Sequence, residues 1–322
     1  MRFGLLLPHV GGHASIERCL NGAMHSEPYG FDSVWVRDHL VFTPYAMEGS
    51  DNTHFDGLQV LSAVAAVTNK LTLGTAMTIA HRHPVHLAQC FAALSRISSR
   101  RVIMGMGLGG FPHEFVSAGL PSSVKARADL VRANVEICRR LWAGHTVSYR
   151  DDNYNFSDVA LRPLPAMPIP IWFGGSTPAA CRRAVQLGEG WLPARITLAT
   201  FEARMAYIRE LCGSEAKISA GVMPLTSVAR NREEALRDVD IAALLNDANR
   251  SPSWAKPPGG KFSSPEDLRG MVLAGSPEEI VRDVRLYEAA GAELVIFDLR
   301  FRFAEWLQQI AWLGKEVLPE FQ

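Results

Sequence analysis

An excess of charge of either sign is missing from this chain. Its 33 Lys and Arg residues are matched by 33 Asp and Glu over 322 residues. That balance argues against a general role on nucleic acid or at a membrane surface. Cysteine is scarce and unpatterned: the five present (Cys19, Cys90, Cys138, Cys181, Cys212) are odd in number, widely spaced, and form no Cys-x-x-Cys. All five fall in predicted helices, so reduced, buried thiols in a cytoplasmic protein are expected rather than disulfides. The apolar start MRFGLLLPHVGG is too short and too rich in Pro and Gly for a signal peptide. No apolar run approaches the length of about 20 residues that a membrane helix needs. Ser62, Ser95 and Ser176 lack the context of a nucleophile elbow, which argues against serine hydrolysis.

What is present is a core and a repeat of strand and helix. The composition is 48% hydrophobic and 20% charged, normal for a globular protein. Short apolar runs read as strands at Arg2 to Leu7, Ser33 to Val36, Leu71 to Met77, Val102 to Met106, Ile169 to Phe173, Gly190 to Leu192, Lys217 to Leu225 and Leu294 to Leu299. Each is followed by at least one helical pattern, among them Ala14 to Glu27, Asp56 to Thr68, Val85 to Ile97, Val124 to Trp142, Pro178 to Leu187, Leu198 to Cys212 and Arg232 to Leu245. Runs of this length suit strands buried on both faces. Eight β/α units point to an α/β fold, a (β/α)8 TIM barrel with insertion segments, over residues 1–322 as one domain. An open doubly wound sheet is the competing architecture. Residues 144–164 read as a surface hairpin or extended excursion, and 246–264 (rich in Pro, Gly and Ser) as a mobile insertion.

In such a barrel the active site lies at the carboxyl ends of the strands. The sequence puts His9 there after the first strand, Asp38-His39 after the second, Thr78 and His81-Arg82-His83 after the third, Gly107-Leu108-Gly109-Gly110 after the fourth, and Gly174-Gly175-Ser176-Thr177 after the fifth. The last turn lies directly between strand and helix and suits an anion held by backbone amides and two hydroxyls. Gly105 to Gly110 matches G-x-G-x-x-G, but PHEFVSAGLPSS follows where a dinucleotide fingerprint needs a helix. Small residues there instead let a flat ring approach the backbone. His81, His83 and His86 match no common metal-ligand spacing, and no metal site is expected. The loops Leu40 to His54 and Asn246 to Ser264 carry Phe42, Tyr45 and Trp254, which suggests an apolar or planar substrate.

These features together resemble the bacterial luciferase-like flavin and deazaflavin oxidoreductases, which are TIM barrels. The resemblance spans nearly the whole chain and rests on GFDSVWVRDHL (30–40), KLTLGTAMTIAHRHPVHLAQCFAALSRISSRRVIMGMGLGG (70–110), RRLWAG (139–144), PIPIWFGGSTPAACRRAVQLGEGWLP (168–193) and GSPEEIVRDVRLYEAAGAELVIFDL (275–299). The Asp-His pair after the second strand is similar to the branch that uses coenzyme F420. The resemblance implies a cofactor-contacting and catalytic Asp38, a catalytic His39, and a cis peptide at Ala76-Met77 with Met77 and Thr78 behind the cofactor ring. It leaves His9, Tyr45 and His81 facing substrate. Relatives often place a proton-donating glutamate at the position of Gly110; here Glu114 lies four residues further on. The implied activity is hydride transfer between F420 and a small organic substrate in a cytoplasmic homodimer. FMN-dependent monooxygenation is the alternative, followed by a metal-dependent barrel hydrolase and a cofactor-binding protein without turnover.

Overall fold

The computed structural model describes residues 1–44, 48–99, 101–213 and 218–321. The main sheet contains β1 (Arg2–Leu6), β2 (Ser33–Val36), β3 (Thr72–Thr75), β4 (Val102–Gly107), β5 (Ile171–Phe173), β6 (Gly190–Trp191), β7 (Ser219–Val222) and β8 (Leu294–Phe297). All neighbours pair in parallel and in chain order, and β8 pairs with β1 to close the ring. The two-residue strand Thr78–Ile79 extends the line of β3 along β4. The closed (β/α)8 barrel is therefore the fold, and the open doubly wound sheet is excluded.

Local chemistry starts the outer helices where the pattern predicts. Asp56 caps Gly57–Val67 by accepting from the amides of Leu58 and Gln59. His83 caps Pro84–Ile97, with Pro84 in the first turn. Thr177 caps Pro178–Leu187, and Ser276 with Glu279 forms a capping box on Pro277–Ala290. The barrel interior is filled by Leu6, Trp35, Ile103, Trp172, Leu192, Met223, Leu294 and Ile296, against which Ala76 and Met77 pack. Burying each such side chain is worth about 1.5–3 kcal/mol. Residues Val147–Arg150 and Asn155–Val159 form the expected antiparallel hairpin.

The segment between β7 and β8 departs from expectation. Leu225–Val228 and Val272–Gly275 pair in parallel beside the barrel, a two-stranded sheet not foreseen. The helix expected over Arg232 to Leu245 is two, Arg232–Leu236 and Ile241–Asn249, because Asp240 caps the second by accepting from the amide of Ala243. The stretch 246–264 packs on the mouth through buried Trp254 and Phe262. Among the described residues, no helix is long and apolar enough to cross a membrane.

Candidate active site

The residues that follow β2 meet the ends of β3 and β4 at the mouth. Asp38 is buried, and its Oδ2 accepts from the amide of Ile79 at 3.0 Å. Arg82 donates from Nη2 to Asp38 Oδ1 at 2.6 Å and to Asp56 Oδ2 at 2.6 Å. This carboxylate ties β2 to the chain beyond β3 and fixes the start of the loop that carries His39.

His39 lies 3.2 Å through Nδ1 from Oε1 of Glu114, and that oxygen also accepts from the amides of Leu40 at 2.9 Å and Val41 at 3.3 Å. Glu114 is 1% exposed. Burial raises its pKa, but the His39 hydrogen bond and charge, with the Val41 amide, outweigh burial and hold it below the usual glutamate range. An ionised carboxylate only accepts, so in the neutral His39 ring the proton sits on Nδ1 and Nε2 is left as the acceptor. Among the described residues Nε2 has no hydrogen-bond partner. The carboxylate next to His39 is thus Glu114, not a residue at Gly110. It arrives on the short helix Pro112–Ser117, which begins where irregular chain was expected, with Pro112 in its first turn.

Aromatic rings enclose His39: the centroid of Phe42 lies at 5.2 Å, that of Phe111 at 5.6 Å and that of His54 at 6.0 Å. His54, which the sequence reading did not single out, has a buried Nε2 without a hydrogen-bond partner, and burial together with the His39 charge lowers its pKa. His81 keeps both ring nitrogens buried without a partner. Its Nε2 lies 3.9 Å from Asp38 Oδ2. Burial lowers the His81 pKa, with Asp38 opposing the shift. His9 uses both nitrogens on backbone: Nδ1 donates to Phe55 O at 2.8 Å and Nε2 accepts from Arg37 N at 2.9 Å. Burial pushes its pKa down to about 3. His83 turns away as a helix cap, and Tyr45 lies outside the described residues.

Across the mouth from these rings lie the glycine turns. The Ala76-Met77 peptide is cis, as the family pattern implies. Met77 fits between strand ends that have no side chains: a Cβ on Gly107 would stand 3.0 Å from Met77 Cβ, and one on Gly174 would stand 2.6 Å from Met77 Cγ. Leu108 and Gly109 continue this wall, and Gly110 is exposed. Thr78 donates from Oγ1 to Thr75 Oγ1 at 2.8 Å, inside the barrel end. The result is a half-buried shelf of Ala76 and Met77 that a flat ring can cover.

Beside the shelf, the carbonyl of Gly175 accepts from Trp191 Nε1 at 2.9 Å and that of Ser176 from Arg204 Nε at 2.7 Å. Both carbonyls are thereby engaged, and among the described residues no acceptor takes the amides of Gly175, Ser176 or Thr177. Trp254 donates from Nε1 to Ser176 Oγ at 3.1 Å, so the hydroxyl proton of Ser176 remains free to donate. Ring shelf and amide turn together fit a ring cofactor with a phosphate. Among the described residues no group of three or more His, Cys, Asp or Glu is placed to hold a metal ion.

Comparison with known proteins agrees with this geometry. The profile of luciferase-like monooxygenases matches residues 1–294. An F420-dependent glucose-6-phosphate dehydrogenase of Amycolatopsis mediterranei (strain U-32) is 27% identical over 311 residues, covering 89% of this chain and 91% of that protein. An F420-dependent hydroxymycolic acid dehydrogenase of Mycobacterium tuberculosis (strain ATCC 25618 / H37Rv) is 30% identical over 191 residues, 59% of this chain and 51% of that protein. In fold, the chain superposes on an F420-dependent secondary alcohol dehydrogenase in complex with an F420-acetone adduct at a TM-score of 0.81, with 20% identity and coverage of 100% and 99%. It superposes on the FMN-bound oxygenating constituent of 3,6-diketocamphane monooxygenase from the CAM plasmid of Pseudomonas putida at 0.79, with 17% identity and coverage of 100% and 99%. The barrel, the site at its mouth and the match over residues 1–294 lead to one family: this chain belongs to the luciferase-like monooxygenases.

Proposed function

We propose that this protein is an F420-dependent oxidoreductase that moves a hydride between the deazaflavin and a small organic substrate. The observation that carries the reading is the His39–Glu114 pair at the mouth, 3.2 Å apart, with one ring nitrogen held by a buried carboxylate and the other left for a ligand. Curated relatives named as F420-dependent dehydrogenases support it. When bound, the deazaflavin supplies two-electron hydride chemistry that no side chain provides. Gly174, Gly175, Ser176 and Thr177 hold its phosphate through amides and hydroxyls. Ala76, Met77, Thr78 and the wall Gly107, Leu108, Gly109 and Gly110 hold the ring. Asp38 sets the strand ends in register, His39 takes or returns the substrate proton at Nε2, and His81 keeps two ring nitrogens for ligand contact.

The test is His39→Ala. Turnover falls by about 10²–10⁴-fold, while F420 affinity, read by fluorescence titration, stays within a few-fold of wild type. Turnover that stays near wild type, under conditions where chemistry limits the rate, removes His39 from the reaction. The reading includes a cytoplasmic homodimer joined through the Gly57–Val67 and Pro84–Ile97 helices, which leave Val67 40% and Ile97 52% exposed. Light scattering at micromolar concentration checks the dimer, and a monomer contradicts it.

A further inference from the structure

Beside His39 stands a second histidine with a nitrogen to spare. The ring of His54 lies edge-on to that of His39, with centroids 6.0 Å apart and planes at 86°. Its Nε2 is buried without a hydrogen-bond partner, and Nε2 of His39 has none among the described residues either. Two hydrogen bonds of about 2.8 Å meeting on one atom span at most about 5.6 Å, which two rings at this separation can accommodate. His54 is held firmly. Gly11 N donates to Thr53 O at 2.9 Å and Phe55 N to His9 O at 3.0 Å, and Val10 and His54 form an antiparallel bridge. His9 completes the brace. Its Nδ1 donates to the carbonyl of Phe55, one residue after His54, and its Nε2 accepts from the amide of Arg37, two residues before His39. One buried side chain thus sets the spacing of the two segments that bring His39 and His54 to the mouth.

We propose that His54 is a second catalytic residue, whose Nε2–H donates to the same substrate heteroatom that exchanges its proton with His39 Nε2. The inference rests on the F420 reading above and adds a residue to it. Neutral imidazole has one N–H and one bare nitrogen. Glu114 fixes the proton of neutral His39 on Nδ1, so His39 offers a bare Nε2. A heteroatom that carries both a proton and a lone pair needs one acceptor and one donor, and His54 supplies the donor. Several groups face His54. Burial lowers its pKa most, the charges of His39 and Arg82 lower it further, and those of Asp38 and Asp56 oppose the shift, so the ring is neutral near pH 7. His9, its ring centroid 6.0 Å away, is neutral as well, and the remaining neighbour is the ring of Phe42 at 6.3 Å. In the oxidative direction the substrate carbon gives a hydride to the deazaflavin and the adjoining heteroatom gives its proton to His39 Nε2, leaving a double bond between the two atoms. His54 keeps its proton, and its hydrogen bond holds the heteroatom in place throughout. Reduction is the reverse. A buried donor fixed in advance is worth more here than one that must be turned into place during the reaction.

The test begins with the ring itself and needs neither cofactor nor substrate. Nitrogen-15 shifts of His54 at pH 7 show the proton on Nε2 and a bare Nδ1. A proton on Nδ1, or a charged ring, overturns the proposal. F420 titration follows, and failure to bind removes the cofactor reading while the ring result stands. In F420-bound protein, turnover is read with whichever of 2-propanol and glucose 6-phosphate is oxidised faster. His54→Leu lowers kcat by about 100-fold, with F420 affinity within a few-fold of wild type. His54→Gln, whose amide N–H can reach where Nε2–H stood, keeps kcat within about tenfold of wild type. His54→Ala serves if His54→Leu fails to fold. A folded His54→Leu variant with kcat within about threefold of wild type overturns the proposal. An equal loss in His54→Leu and His54→Gln also overturns it, because it marks a ring needed only for packing.

Discussion

Glu114→Gln is the substitution that separates a positioned histidine from a merely buried one. The change keeps the shape of the side chain and removes its charge. In the wild-type protein Oε1 holds three donors: the ring of His39 at 3.2 Å and the amides of Leu40 and Val41 at 2.9 and 3.3 Å. The glutamine oxygen can keep the two amides, so the loop after β2 stays in place. What is lost is the charged acceptor for Nδ1–H. The new amide group can also turn its NH2 toward the ring and favour the other tautomer, with Nε2 protonated and useless as a base. A hydrogen bond to a charged group is worth about 1.5–3 kcal/mol, so kcat should fall by about 10–150-fold. F420 affinity should change little, because the Glu114 carboxylate bonds the His39 ring and the amides of Leu40 and Val41 and takes no part in the turn at 174–177. Two measurements decide it. Steady-state turnover with F420 saturating gives kcat, and nitrogen-15 shifts of the His39 ring give the tautomer without any substrate. The reasoning is refuted if the folded variant keeps kcat within about threefold of wild type, or if the His39 ring keeps its proton on Nδ1 as in wild type while kcat falls.

Two further outcomes follow from other parts of the molecule. Gly175 has φ of +100°, and an added Cβ would stand 3.0 Å from Ala180 Cβ; Gly175→Val should therefore weaken F420 binding by about tenfold or more while the barrel still melts cooperatively, and unchanged affinity in a folded variant would remove the phosphate assignment. His9 is buried neutral, with its pKa pushed from 6.5 to about 3. The unfolded chain binds a proton on this residue below about pH 6.5 and the folded chain does not, so its contribution to stability is lost as pH falls from about 6.5 toward 3. By pH 5 this amounts to about 2 kcal/mol. Denaturation in urea at pH 7 and pH 5 should show that loss in wild type and less of it in His9→Gln; an equal loss in both would place the effect elsewhere.

The barrel was legible because its signal is local. Apolar runs such as SVWV and VIMGMG, buried on both faces, are followed by Pro or hydroxyl caps that open the next helix. The strand ends then brought Asp38, His39, Thr78, His81 and the turn at 174–177 to one rim without any side-chain knowledge. What escaped was set by contacts far apart in sequence. Glu114 meets His39 across 75 positions and Trp254 meets Ser176 across 78, and neither pair leaves a periodic trace. Glu114 did carry a signal: an acidic residue two positions after a proline that can start a helix, in a turn that follows a barrel strand. Val272–Gly275, directly before the capped helix at Pro277, was given no element, since a four-residue apolar run has no period long enough to declare a strand. His9 shows the opposite error of emphasis. A histidine at a strand end looked ready for a ligand, yet both nitrogens serve the backbone that joins β1 to the loop beyond β2.

The most direct measurement is the absorption spectrum of the cofactor that co-purifies from a host making both F420 and flavins, followed by reduction of that holoprotein with an alcohol found by screening a panel of small organic substrates. The shelf at Ala76-Met77, the amide turn at 174–177 and the His39–Glu114 pair lead to a bound deazaflavin whose spectrum bleaches on adding the alcohol, and does not bleach in His39→Ala. A bound flavin with no deazaflavin, reoxidised by oxygen with incorporation of an oxygen atom into an organic substrate, would contradict the hydride-transfer reading and place this chain with the oxygen-using members of its family.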